Sequence, residues 1–177
     1  MIKNILSYYT KQLNEFLSRY YHRPDGLAEI GTIDKTQNTI PNKIVVSLLN
    51  LERETSAGIP CSVHRTAEGG YVQTHPSLQF NLNVMFAAVF EMNQYVESLS
   101  ILSDTLRFIQ SHSSFEMNGT TYTLEIMNIS LQEMNDLWSL LGGHYYPSVL
   151  LKIRRINIDA EDVISSSTAI NNPVVEL

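Results

Sequence analysis

Cysteine, basic side chains and long apolar runs are all scarce in this chain. Cys61 is the only cysteine of the 177 residues, so no internal disulfide can form, and a reducing compartment of synthesis is the simplest expectation. No apolar run approaches the roughly 20 residues of a membrane helix. The opening Met1-Ile2-Lys3-Asn4-Ile5-Leu6-Ser7 lacks the apolar core and small-residue cleavage site of a signal peptide. A protein soluble when made is therefore expected. Lys and Arg number 12 against 18 Asp and Glu, for a net charge of −6. Four of those acids (Asp159, Glu161, Asp162, Glu176) lie from position 159 onward, where no base occurs, which leaves the preceding body at −2. A nearly neutral body argues against a nucleic-acid binder held by phosphate contacts.

What is present fits a globular α+β protein: 44% hydrophobic and 17% charged residues, enough for a real core. Residues 2–20 place Ile2, Ile5, Leu6, Tyr9, Leu13, Phe16, Leu17 and Tyr20 at helical spacing, and Pro24-Asp25-Gly26 closes them as a turn. A short strand is expected within 27–33. Residues 42–52, around Ile44-Val45-Val46, read as a central strand that is apolar on both faces. Residues 54–76, broken by Gly58, Pro60 and Gly69-Gly70, read as a long irregular connection. Beyond Pro76 comes strand alternation, with Leu78, Phe80, Leu82, Val84 and Phe86 against Gln79, Asn81 and Asn83.

Helical period returns over 93–111, with Val96, Leu99, Leu102, Leu106 and Ile109 as the expected core stripe. Asn118-Gly119 predicts a hairpin over 115–127 with Tyr122, Leu124 and Ile126 inward. Ser130 and Glu133 have capping-box spacing for a helix that carries the sole tryptophan, Trp138, and halts on Gly142-Gly143. Pro147 then forbids further helix and opens a final strand over about 148–158. The expected fold class is α+β, a mostly antiparallel sheet with three main helices packed on it. A body of 1–159, including the 54–76 loop, precedes an arm at 160–177. That arm is polar and core-poor, and alone it is expected to be disordered.

Chemistry is harder to find. Cys61 and His64, with His75 in the same loop, have metal-like spacing, but a structural zinc site wants a fourth ligand and none of the usual type is near. A solvated loop is the preferred reading, so no metal and no cofactor is expected. His22 and His112 fall at helix C-termini, where capping explains them. His144 lies in the turn after Gly143. No nucleophile elbow, phosphate loop or dinucleotide fingerprint occurs, so catalytic residues are expected to be none. Arg154 and Arg155, adjacent on a strand, point to opposite faces and are candidates for a partner interface.

The strand Pro76-Ser77-Leu78-Gln79-Phe80-Asn81-Leu82-Asn83-Val84-Met85-Phe86 is followed by Tyr95-Val96-Glu97-Ser98-Leu99-Ser100-Ile101-Leu102-Ser103 and Phe108-Ile109-Gln110-Ser111-His112-Ser113-Ser114-Phe115. Together with Leu137-Trp138-Ser139-Leu140-Leu141-Gly142-Gly143-His144-Tyr145-Tyr146-Pro147 and the strand Lys43-Ile44-Val45-Val46-Ser47-Leu48-Leu49, this order resembles the tail-terminator or cap proteins of contractile injection systems. Those are phage-tail-like particles of the antifeeding-prophage and virulence-cassette kind. The resemblance covers residues 2–159 but neither the 54–76 loop nor the arm.

The resemblance implies a phage tail-terminator-like fold and a non-enzymatic assembly role. It implies a homohexameric ring at the baseplate-distal end, which stops growth of the inner tube and the sheath. The implied partners are further copies of the chain, the inner-tube protein and the sheath protein, with no nucleic acid and no membrane insertion. Synthesis and assembly are then bacterial and cytoplasmic, in a particle that is released or stays cell-associated. A heterologous interface must close such a ring, and β-augmentation by a terminal arm is one way to tie copies together. Ile164, Ile170, Val174 and Val175 are the arm residues expected to cross to a neighbour. A baseplate or tube-completion adaptor is the second reading. An enzyme using loop 54–76 is the third.

Overall fold

A computed structural model of the chain describes residues 1–33, 40–54, 63–65, 70–75, 77–158 and 163–167. Contacts divide the chain into two compact units, one formed by Met1–Glu52 with Asn81–Arg155 and the other by Arg53–Phe80 with Ile156–Leu177. This division groups the residues differently from a 1–159 body and a 160–177 arm.

The first unit holds α1 (Ile2–Tyr21), β1 (Ala28–Ile30), α2 (Tyr95–Ser111), β6 (Ser114–Met117), β7 (Thr120–Ile126) and α3 (Leu131–Leu140), with most of β2 (Lys43–Arg53), β5 (Leu78–Val89) and β8 (Ser148–Ile158). Its strands belong to a six-stranded sheet in the order β1-β2-β5-β8-β7-β6. The β6–β7 and β7–β8 pairs are antiparallel. The sheet is mostly antiparallel and curled, as the α+β expectation required, although the edge pair β1–β2 is parallel.

Alternation along β5 builds a three-layer unit. Met85, Ala87 and Val89 cluster with Val45 and with Trp138 of α3 on one face. Phe86, on the other face, meets Tyr9 of α1 edge-on at 6.1 Å, and Tyr9 in turn contacts Phe108 of α2 at 5.4 Å. Successive strand residues point to opposite faces, so α1 and α2 cover one side of the sheet and α3 covers the other. Ile44, Val45 and Val46 of β2 are all buried, as a strand covered on both faces must be. Each fully buried Leu, Ile or Phe side chain contributes about 1.5–3 kcal/mol by leaving water.

Local chemistry sets the element ends. α1 stops at His22, which is left-handed (φ 53°) and donates its N–H to the Ser18 carbonyl. Asn118 and Gly119 both have positive φ (53° and 74°), the backbone of a tight hairpin turn. Ser130 and Glu133 form the reciprocal capping box of α3. Gly143, at φ 77°, donates its N–H to the Trp138 carbonyl at 2.8 Å and ends that helix.

Three expectations need correction. The predicted stripe of α2 holds only in part: Ile109 is buried and Leu102 half-buried, but Val96 is 78% exposed, and Leu99 and Leu106 are also exposed. The buried register is Ser98, Ile101, Asp104, Thr105, Phe108 and Ile109. Its polar members are satisfied locally, because Ser98 and Thr105 donate to the Tyr95 and Ile101 carbonyls at 2.7 and 2.8 Å. Asp104 accepts from Tyr21 at 2.6 Å and from Arg107 at 2.7 Å. Hydropathy alone scores that face too low. Ile126 is 54% exposed, although Tyr122 and Leu124 are buried, because it is the last residue of β7. Finally, the expected irregular connection contains β3 (Val63–Arg65) and β4 (Tyr71–Thr74), and β8 is not the final strand.

The second unit contains a three-stranded sheet ordered β3-β4-β9, with β9 at Val163–Ser167 and both pairs antiparallel. Thr74 pairs with Val163 and Gln73 with Ser165, so the register skips Ile164. That is a β-bulge, with one extra residue on β9.

Candidate functional site

Arg154 lies on β8 opposite Thr123. Its guanidinium reaches diagonally to Glu125 at 2.8 Å, while its Nε is buried without a partner among the described residues. Lys152, two residues earlier, pairs with Glu52 at 2.7 Å. Arg154 thus belongs to a ladder in which each base is matched by an acid of its own chain. Half-exposed pairs of this kind contribute about 0–1 kcal/mol. Arg155 is exposed and makes no ion pair among the described residues. Its φ is 71°, a left-handed conformation inside a strand, and it marks the end of the first unit. The two arginines do not form one site.

Ile164 is placed in cis, in the bulge of β9 against β4 of its own chain. Ile170, Val174 and Val175 lie outside the described residues, as does Cys61. The side chain of His64 is likewise not described, and His75 is exposed. His112 caps α2, its ring stacked on Phe108 at 4.2 Å and its carbonyl accepting from the Tyr9 hydroxyl at 3.2 Å. Burial pushes the Tyr9 phenol well above the ordinary tyrosine range. These are structural roles. Among the described residues no three metal-ligating side chains converge, and no helix is long and apolar enough to cross a membrane.

The surfaces of the first unit are more informative. α1 turns a ridge outward at four-residue spacing: Lys3, Ser7, Lys11, Glu15 and Arg19, all exposed. Tyr20 beside it is 60% exposed. On the opposite side of the sheet, α3 exposes Glu133 and Asp136, and no Lys or Arg occurs anywhere in 127–147. Hydrogen bonds from the Ser130 backbone N–H and hydroxyl hold the Glu133 carboxyl below its usual range, so it stays ionised. α3 is also unusually apolar outward, with Leu131 91%, Leu140 85% and Tyr145 65% exposed. An open cleft of about 310 Å³ is lined by Leu131, Met134, Trp138, Gly143 and Tyr145. Trp138 is itself 4% exposed, packed edge-on against Tyr145 and Tyr146 at 5.8 and 5.9 Å. Its indole N–H has no partner among the described residues.

This geometry has exposed apolar and charged faces, and no three metal-ligating side chains converge among the described residues. The profile of the Pvc16 N-terminal domain family matches residues 9–172. The chain belongs to that family. No curated relative matches it in sequence. Among solved structures, the chain is similar to the PVC sheath/tube terminator in its extended state, from an extracellular contractile injection system. The TM-score is 0.65 and the identity 12%, over 96% of this chain and 62% of that one. It is also similar to the anti-feeding prophage cap, a tube-terminating cap, with a TM-score of 0.60 and 15% identity over 93% of this chain and 57% of that one. This member of the Pvc16 N-terminal domain family therefore spans less than two thirds of either structure. At such identities the likeness shows the shared α+β fold.

The charged ridges of α1 and α3 escaped the motif-based reading, although one signal was in plain view. Lys3, Lys11 and Arg19 recur every eight residues, which spreads them over about 160° of the helix, across its solvent-facing side. The acidity of α3 was readable too. That the two helices lie on opposite sides of one sheet was not.

Proposed function

We propose that the chain is a structural terminator of a contractile injection particle. It forms a ring at the baseplate-distal end and ends polymerisation of the inner tube and sheath. The observation that carries this reading is the family match over 9–172, joined to a fold that shares 96% of its length with a sheath/tube terminator. The absence of a nucleophile, phosphate or dinucleotide motif in the sequence supports a non-enzymatic role. Its partners are further copies of itself in a six-fold ring, the inner-tube protein and the sheath protein. Assembly takes place in the bacterial cytoplasm, before any release of the particle.

The arm contributes by strand exchange. β9 already pairs with β4 as an edge strand, and an edge strand leaves one row of backbone groups open to a further chain. The arm beyond it, with Ile170, Val174 and Val175, crosses to a neighbouring copy. Truncation after Asp159 removes β9 and the arm together and leaves the helical unit folded but poor at forming rings. Full ring formation by that truncate would sink the arm's role.

Imaging particles from cells lacking this protein tests the main reading. Overlong or capless tails are expected. Normal tails of normal length would refute it, and particles without a baseplate would point to an adaptor instead.

A further inference from the structure

Opposite faces of the first unit carry opposite charge. The α1 ridge presents Lys3, Lys11 and Arg19 against a single acid, Glu15. The one ion pair on this ridge, Lys11 with Glu15, is long at 3.9 Å and lies between exposed side chains. Across the sheet, α3 presents Glu133 and Asp136 with no base in 127–147. Neighbouring charges are paired, Arg23 with Glu97 at 2.7 Å, Lys152 with Glu52 at 2.7 Å and Arg154 with Glu125 at 2.8 Å, while Asp25, Glu91, Glu116 and Arg155 are exposed outside both helices. α1 is thus net basic and α3 net acidic, on opposite sides of the unit.

We propose that copies of this chain associate head to tail, the α1 face of one copy seated on the α3 face and cleft of the next. A second copy suits both faces because each presents the charge the other lacks. Two like faces brought together would repel. A contact between two different patches is heterologous, so it propagates from copy to copy and either closes into a ring or runs on as a filament. Affinity comes from apolar surface: Tyr8 and Tyr20 on the α1 side, and on the α3 side Leu131 and Tyr145 at the cleft, with Leu140 exposed elsewhere on the helix. Charge decides which face meets which and how fast. This inference deepens the terminator reading by naming the surfaces through which its ring closes.

The test uses the full chain and two charge-reversed variants, followed by native mass spectrometry and sedimentation. Variant A carries Lys11→Glu with Arg19→Glu, and variant B carries Asn135→Lys with Asp136→Lys. All four sites are exposed. The parent is expected to self-associate, more weakly in 1 M salt, where the screening length falls from about 10 Å at 0.1 M to 3 Å. Each variant alone should lose about tenfold in self-association, since one face then carries the same sign of charge as the face it must meet.

Mixing A with B restores both contacts, so assemblies should contain A and B in equal number. A chain carrying all four substitutions should assemble like the parent, which also shows that the variants fold. Leu140→Ser should weaken assembly without changing its salt dependence. Parent-like assembly by A or B alone overturns the proposal, as does an A and B mixture that stays dissociated. A symmetric dimer that survives both reversals also overturns it. A parent that is monomeric at every concentration and salt overturns this contact as well, while the tail-length experiment judges the terminator role separately.

Discussion

Replacing Asn14 by alanine should destabilise the first unit more than any other single change on the solvent side of α1. Asn14 sits mid-helix, half-exposed, yet its Oδ1 accepts the backbone N–H groups of Leu27 at 2.7 Å and Ala28 at 2.9 Å. Leu27 is fully buried and Ala28 is 8% exposed, so neither N–H has water as an alternative. Both stand at the entry to β1, where the Leu27 carbonyl accepts from Ile44 of β2 at 2.8 Å. One side-chain oxygen thus ties the end of the first helix to the edge of the sheet.

Leaving a buried donor unpaired costs about 1–3 kcal/mol. The two donors together, less about 0.5 kcal/mol for the better helix propensity of alanine, give a loss of roughly 1.5–5.5 kcal/mol. Against a typical domain stability of about 5–15 kcal/mol this is large. With a urea m-value of about 2 kcal/mol/M, the midpoint should fall by roughly 1–3 M.

Asn14→Asp keeps an acceptor at the same place and should retain most of the stability. Gly26 offers an independent check. It has φ +78°, and a Cβ there would stand 2.8 Å from Asn14 Oδ1, so Gly26→Ala should destabilise as well. Combined with Asn14→Ala, its cost should shrink, because the atom it strikes is gone. A loss below about 0.5 kcal/mol for Asn14→Ala, measured by urea unfolding, would refute the reasoning. An Asn14→Asp variant as weak as the alanine one would do the same.

Other outcomes follow from the same packing. Ile101→Ala should cost about 2–5 kcal/mol, as for other buried large-to-small changes, while Val96→Ala should move the unfolding midpoint little, because Val96 is 78% exposed. Equal losses would return the core of α2 to its hydropathy stripe. At Arg155, φ 71°, glycine should be tolerated, whereas valine should lower stability by roughly 1–2 kcal/mol, because a β-branched side chain resists the left-handed region. Thermal unfolding of the two variants separates the cases.

The pH dependence should be visible at the alkaline end. Burial raises Tyr9, and burial together with the Asp104 carboxylate raises Tyr21. A raised acid holds its proton in the folded state longer than in the unfolded one. Its contribution is therefore complete below the ordinary tyrosine range near pH 10 and is lost as pH climbs above it. Urea midpoints should fall above pH 10, less steeply in a Tyr9→Phe variant. In acid, Glu133 works with the opposite sign. Its lowered pKa supports α3 above the usual carboxylate range, and that support fades as pH falls through it. A Glu133→Gln variant should lose the acid dependence of the near-ultraviolet signal of Trp138.

Sequence alone determined the elements whose causes are local. The Asn118-Gly119 turn, the Ser130 and Glu133 capping box, the Gly142-Gly143 stop and the strand opening after Pro147 each need only a few adjacent residues to be recognised. The order of the three helices and the central character of β2 were equally legible, and so was the family resemblance, which the match over 9–172 bears out. Tertiary structure decided what depends on distant partners. Only packing against α1 shows that α2 buries Ser98, Asp104 and Thr105 and leaves Val96 in water. Only the register shows that β9 returns to β4, skipping Ile164. Only the alternation of Met85 and Phe86 shows that the basic ridge of α1 and the acidic face of α3 lie on opposite sides of one sheet. Helical and strand periods are written along the chain, but which face meets a partner is set by contacts far apart in sequence.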